Sequence, residues 1–281
     1  MSHSSMYFKF KMFKLEIIGG HGMMEIMTEM LLIEPREGWT KLVLNRPDVR
    51  NALNTAVLAT LAETLDRLAM DAGCRAVLMC GTGGNFAAGA DLGEIEHKGR
   101  IDGAKDPRKG HWAQIRRFPK PLVAAVDGYC LGGGLELALL ADCIVLGASA
   151  KLGLPETNLG LIPGAGGCQR LTALIGRARA TRMVLTGEII EARLAHDWGI
   201  AGWLSDGVAE SDAETLTAKL AQRAPLALQA AKQALVAASE SAHTEDLANE
   251  RASFEALLDS ADKREGIAAF REKRKPIFQG K

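Results

Sequence analysis

Cysteine, aromatic residues, net charge and long apolar runs are all scarce in this chain, and each scarcity narrows the field. The five cysteines among 281 residues (Cys74, Cys80, Cys130, Cys143, Cys168) are an odd number without a C-x-x-C pair. That speaks against a disulfide framework or a zinc site of the usual spacing, and a reducing compartment is the default. Lys and Arg number 34 and balance 34 Asp and Glu, so the whole molecule has no charge to draw nucleic acid or an anionic membrane. No window approaches the ~18 consecutive apolar residues of a membrane span. G-x-S-x-G, G-x-x-x-x-G-K-[ST] and strand-borne G-x-G-x-x-G are all missing. A hydrolase serine elbow and the usual nucleotide cradles therefore lack their signatures. The six histidines are scattered, without H-E-x-x-H, and read as surface or locally bonded groups. No metal site and no redox cofactor are expected.

The segment Met1 to Met30 is set apart. Lys9, Lys11 and Lys14 interrupt its apolar runs and it holds no arginine, so it resembles neither a secretory signal nor a mitochondrial transit peptide. Met23, Met24, Met27 and Met30 crowd just before the first well-patterned segment. Residues 1–30 are expected to be an extension outside the core, and the protein is expected in the cytoplasm.

What is present is an ordinary globular composition, 47% hydrophobic and 24% charged. From Leu31 onward, strand-like and helix-like segments alternate. The spacing predicts strands at Thr40–Leu44, Ala76–Cys80, Leu122–Val126 and Cys143–Gly147. Leu58, Leu61, Leu65 and Leu68 form one face of a helix that Asn54 or Thr55 can cap. Past Gly166 the strand signals fade, and helices are predicted at Cys168–Ile175, Arg179–Thr186, Ala192–Trp198, Ala213–Arg223, Leu226–Ser239, Thr244–Ser260 and Lys263–Arg271. Asp102–Lys109, the most polar internal stretch, is predicted to be a mobile loop. The expected fold class is α/β, with a catalytic core over 31–222 and a helical region over 223–281.

Three glycine-bearing segments carry the chemistry. In NFAAGADL (Asn85–Leu92), small residues leave backbone N–H groups open to a ligand; the bland alternative is a tight turn with Asp91 as a helix cap. In GYCLGGGLE (Gly128–Glu136), glycines precede a helix and put free N–H donors at the positive end of its dipole. Glu136 then sits about one turn inside a very apolar run, either facing water or held for a reason. In the third, Leu152–Leu171, Glu156 follows Pro155 in a loop, and Gly164, Gly166 and Gly167 lead into a further helix. A surface glutamate is the plain alternative there.

FAAGAD (Phe86–Asp91), KPLVAAVDGYCLGGGLELALLAD (Lys120–Asp142), LGLPETNLGLIPGAGGCQRL and EGIAAFREKRKPIFQGK (Glu265–Lys281) together resemble the enoyl-CoA hydratase/isomerase, or crotonase, family. The resemblance spans roughly Leu31 to Lys281. It implies a spiral of repeated ββα units with a C-terminal helical region that builds homotrimers, often paired as homohexamers. It implies an oxyanion hole from the N–H groups of Ala90 and Gly133, and catalysis by Glu136 and Glu156. Both glutamates together point to the hydratase branch, which adds water across the 2,3 double bond of a 2-enoyl-CoA. An enoyl-CoA isomerase and a non-catalytic CoA-thioester-binding scaffold are the alternatives. Ala87, Ala88, Asp91 and Leu92 would line the substrate or its CoA moiety, as would Gly132, Pro155 and Gly164. Phe270 and Lys273 would hold CoA, often that of a neighbouring subunit. CoA enters only as part of the substrate, and neither nucleic acid nor membrane is an expected partner. Leu154 and Leu135 depart from residues common in short-chain members and leave acyl preference open. RAPLALQAAKQAL (Arg223–Leu235) and the stretch before Lys120 most resemble the branch that hydrates 2,3-dehydroadipyl-CoA in bacterial phenylacetate degradation. A polar acyl terminus of that kind calls for a cationic or hydrogen-bonding partner that the sequence does not identify.

Overall fold

The computed structural model describes residues 26–240 and 244–279. In chain order it contains β1 (Ile26–Thr28), β2 (Leu31–Arg36), β3 (Trp39–Leu44), α1 (Thr55–Met70), β4 (Ala76–Gly81), α2 (Leu92–Ile95), α3 (Arg100–Ala104) and α4 (Arg108–Arg116). There follow β5 (Leu122–Val126), β6 (Tyr129–Leu131), α5 (Gly133–Ala138), β7 (Cys143–Leu146), β8 (Lys151–Gly153) and a 3-10 turn at Glu156–Leu159. The chain continues with α6 (Gly167–Thr186), β9 (Ile190–Glu191), α7 (Ala192–Trp198), β10 (Trp203–Leu204) and α8 (Ala209–Ala221). Three helices close it: α9 (Pro225–Glu240), α10 (Thr244–Leu257) and α11 (Ala261–Arg271).

Seven strands form one sheet in the order β1-β2-β3-β4-β5-β7-β10, antiparallel as far as β3 and parallel from β3 onward. A small second sheet, β6-β8-β9, stands beside it. The apolar run of β4 divides with a period of two. Val77 and Met79 pack with the leucines of α1, whereas Ala76, Leu78 and Cys80 pack against Ala209, Ala213 and Ala221 of α8. Cover on both faces is why this strand reads as a continuous hydrophobic run instead of an alternating one. Asn54 caps α1, its side chain accepting from the Val57 N–H at 2.8 Å. The two helices predicted around residues 168–186 are one segment broken at Gly176, whose φ of 75° lies in the left-handed region.

Three expectations need correction or sharpening. Asp102–Lys109 is ordered, not a loose loop: α3 and α4 meet there over a buried Asp106–Arg108 pair, bonded at 2.5, 2.8 and 3.0 Å. Burial alone would raise the Asp106 carboxyl, yet the Arg108 bonds bring it down to about 2. The polar look of this stretch hid a satisfied internal ion pair. The supposed extension 1–30 includes β1, which pairs antiparallel with β2, and Met30, which packs on the main core. Residues 1–25 lie outside the described residues. The helical region over 223–281 is not separate from the catalytic core, because Phe254, Leu258 and Ile267 of α10 and α11 and the link between them share a small hydrophobic cluster with Ile95 and Leu161. No described helix is long and apolar enough to cross a membrane.

Candidate active site

The site begins with two segments laid side by side. The Ala87 N–H donates to the Tyr129 carbonyl at 3.0 Å, and the Leu131 N–H donates back to the Ala87 carbonyl at 3.0 Å. On the other side, the Leu53 N–H donates to the Gly89 carbonyl and the Asp91 N–H to the Leu53 carbonyl, at 2.8 and 2.9 Å. Gly134 is required by this approach, since a Cβ there would run into the Ala87 carbonyl. The result brings Ala90 and Gly133 together: a Cβ built on Gly133 would lie 3.5 Å from the Ala90 nitrogen. Gly133 is the first residue of α5, so its N–H has no acceptor inside the helix, and the Ala90 N–H has no partner among the described residues. Two unused amides thus open onto one cavity of about 410 Å³.

Glu136 projects from the first turn of α5 and is only 4% exposed. Its Oε1 accepts from the Ala165 and Gly167 N–H groups at 2.7 and 2.9 Å. Burial raises this carboxyl, and the two amides oppose the rise by holding the charged form. Glu156 opens the 3-10 turn behind Pro155, and its Oε1 would lie 2.9 Å from a Cβ at Gly132. Its Oε2 is shielded from solvent and has no hydrogen-bond partner among the described residues. Burial first, and then the charge of Glu136, push the Glu156 carboxyl well above the ordinary carboxylate range. The two acids therefore share one cavity in unlike surroundings.

Ala88, Ala90, Leu92, Gly132 and Gly133 line that cavity, as do Glu136, Pro155, Glu156, Gly164 and Phe270. Three other sequence candidates do not. Ala87 is fully buried behind the wall, with both backbone polar groups bonded to β6. Asp91 caps α2 through the Gly93 N–H and pairs with Arg46 at 3.0 Å. Lys273 is exposed just past α11, off this chain's own cavity.

Several residues were not anticipated from the sequence. Arg50, lying over the Tyr129 ring at 5.0 Å, and Trp112, Arg251 and Phe254 also line the cavity. Glu250, on α10, accepts from the Gly166 N–H at 2.7 Å and the Cys168 N–H at 3.1 Å. Burial, and then the charge of Glu136, push it up to about 7. A signal existed: Phe254, Leu257 and Leu258 follow Glu250 at helical spacing, which puts a carboxylate in line with an apolar stripe. Among the described residues no group of three or more His, Cys, Asp or Glu is placed to hold a metal ion.

Two amides and two carboxylates, one buried and one half-buried, line one cavity, a set of groups that can polarise a carbonyl and move protons beside it. The chain belongs to the enoyl-CoA hydratase/isomerase family, whose sequence pattern matches residues 34–281. A 2,3-dehydroadipyl-CoA hydratase of Escherichia coli is 46% identical over 256 residues, covering 89% of this chain and 99% of that protein. A probable enoyl-CoA hydratase of Rhizobium meliloti is 37% identical over 253 residues, covering 89% and 98%. The crystal structure of a carnitinyl-CoA hydratase from Mycobacterium avium matches with a TM-score of 0.80 and 35% identity, covering 91% of this chain and all of that one. The fold is the crotonase fold, a mixed α/β core with a parallel sheet and C-terminal helices.

Proposed function

We propose that this protein is a 2-enoyl-CoA hydratase that adds water across the 2,3 double bond to give a 3-hydroxyacyl-CoA. The observation that carries the reading is the unequal environment of two carboxylates beside one amide pair. The thioester oxygen accepts from the Ala90 and Gly133 N–H groups, which bind it more tightly as enolate charge develops. One such donor is worth about 2.7–4 kcal/mol of barrier. Glu136, whose charged form two amides hold, takes a proton from water as the water oxygen bonds to C3. Glu156, with one oxygen unpartnered and its affinity for a proton raised, delivers a proton to C2 on the same face. The added oxygen and both added hydrogens balance as one water, and no redox partner is required.

The finer substrate is an acyl chain with a polar end, in line with the 46% identical relative named for 2,3-dehydroadipyl-CoA. The reading also includes a homotrimer or a pair of trimers in the cytoplasm. Leu226 and Leu235, 79% and 72% exposed on α9, support assembly through that helix. The direct test is loss of the conjugated-thioester absorbance of a 2-enoyl-CoA on adding purified protein. Hydration to the 3-hydroxy thioester is expected. Conversion of a 3-enoyl-CoA to the conjugated isomer without hydration would instead make it an isomerase.

A further inference from the structure

A smaller cavity of about 150 Å³ adjoins the active-site cavity and shares Trp112, Gly164, Ala165 and Arg251 with it. The charged residues lining this annex are Lys109, Arg116, Arg170 and Arg251, with no acidic residue among the lining. Lys109 and Arg251 share a single carboxylate, Glu255, at 2.9 and 3.0 Å. Arg170 donates to the Ala165 carbonyl at 2.9 Å. Arg116, at the end of α4, has no hydrogen bond or ion pair among the described residues. Glu136 and Glu250 lie nearby, but each has an oxygen bonded to the amides of residues 165–168, and neither lines the annex.

We propose that this annex receives the terminal carboxylate of an ω-carboxylated 2-enoyl-CoA, and that Arg116 is the specificity-determining residue. The proposal rests on the hydratase reading above and adds what the acyl chain carries at its far end. A guanidinium without a partner among the described residues, on the wall of a cavity that adjoins the active site, is a ready fork for a carboxylate. In a six-carbon diacid the terminal carboxyl lies close to the reacting centre. Three carbon–carbon bonds of about 1.5 Å separate its β-carbon from the terminal carboxyl carbon, so that carboxyl lies roughly 4 Å past the reacting centre. Glu136, the acid assigned to that β-carbon, is itself bonded at 2.7 Å to Ala165, a residue of the annex wall.

The test compares two substrates of equal length, 2,3-dehydroadipyl-CoA and 2-hexenoyl-CoA, with wild type, Arg116→Gln and Arg116→Lys. The kcat/KM ratio of diacid to neutral substrate should fall about tenfold or more in Arg116→Gln and be largely restored in Arg116→Lys, because a site built for a charge discriminates by it. Lys109→Gln, a second variant on the same wall, should lower the ratio in the same direction. Hydration of 2-hexenoyl-CoA by the wild type, with a ratio that neither neutral variant moves, overturns this proposal and leaves the hydratase reading standing. Hydration of neither thioester by the wild type overturns both.

Discussion

Glu136 and Glu250 hold alternate amides at the start of one helix. Glu136 takes the N–H groups of residues 165 and 167, while Glu250 takes those of 166 and 168, all within 2.7–3.1 Å. The glycine run before α6 makes this possible. Gly166 has a φ of 97°, and Gly167 leaves the room that a Cβ would take from Glu136 Oε1, 3.0 Å away. A carboxylate from the core and one from the C-terminal helices thus fix the same stretch of backbone, which ties the site to α10.

Because Glu250 is raised from 4.5 to about 7, the folded protein binds its proton more tightly than the unfolded chain does. Its contribution is present below the unfolded value and is lost as pH rises through the folded one, so stability should fall between pH 4.5 and about 7. Glu136, Glu156 and Asp127, also raised, act with the same sign. The share from Glu250 is roughly 3 kcal/mol. Urea unfolding of Glu250→Gln across that range should show a visibly flatter slope. A slope identical to wild type would contradict the assignment.

Glu136→Gln and Glu156→Gln should each lower kcat for hydration by about 10²–10⁴, the usual weight of positioned acid–base groups, with a smaller change in KM. The pH profile has a definite sign. Activity should fall on the acid side as Glu136 gains a proton, and on the alkaline side as Glu156 loses the one it must give. Because the pair is coupled, the two limbs belong to both groups together. Either variant within a few-fold of wild type would remove its glutamate from the chemistry.

Much of this was legible in the sequence, for reasons that differ along the chain. Strands β4, β5 and β7 were readable because cover on both faces leaves unbroken apolar runs, and α1 because its leucines keep helical spacing beside a capping Asn54. Glu136 and Glu156 stood out through the glycine-rich turns next to them. Glu250, Arg251 and Phe254 did not, since they reach the site only by the folding back of α10, a long-range contact whose local trace is no more than the apolar stripe that follows Glu250. Asp106 and Arg108 misled for the opposite reason: side chains that look solvated are buried against each other. The small sheet β6-β8-β9 was missed because strands of two or three residues are too short for any period to register.

A structural lysine offers a test separate from catalysis. Lys120 is 6% exposed and donates to the carbonyls of Leu68, Asp71 and Cys74 at 2.6, 2.7 and 2.7 Å. These carbonyls lie at and just beyond the C-terminal end of α1, where a cation also meets the negative pole of the dipole. Lys120→Met keeps the bulk and strands three acceptors, at a cost on the order of 3 kcal/mol. The urea midpoint should fall without a change in m-value. An unchanged midpoint would mean that water replaces the ammonium at no cost.

Gly132 provides a geometric test of where Glu156 must be. Its φ of 50° and ψ of −127° lie where a side chain is strained, and a Cβ would come 2.9 Å from Glu156 Oε1. Gly132→Ala must either bend the turn that presents the Gly133 N–H or push the Glu156 carboxyl off its position. Both routes damage the transition state, so kcat should drop by about 10² or more, comparable to removing one fixed donor. The loss of stability should stay within about 1–3 kcal/mol, the usual cost of one strained residue. A folded Gly132→Ala protein that hydrates as fast as wild type would mean that Glu156 does not work from beside this glycine.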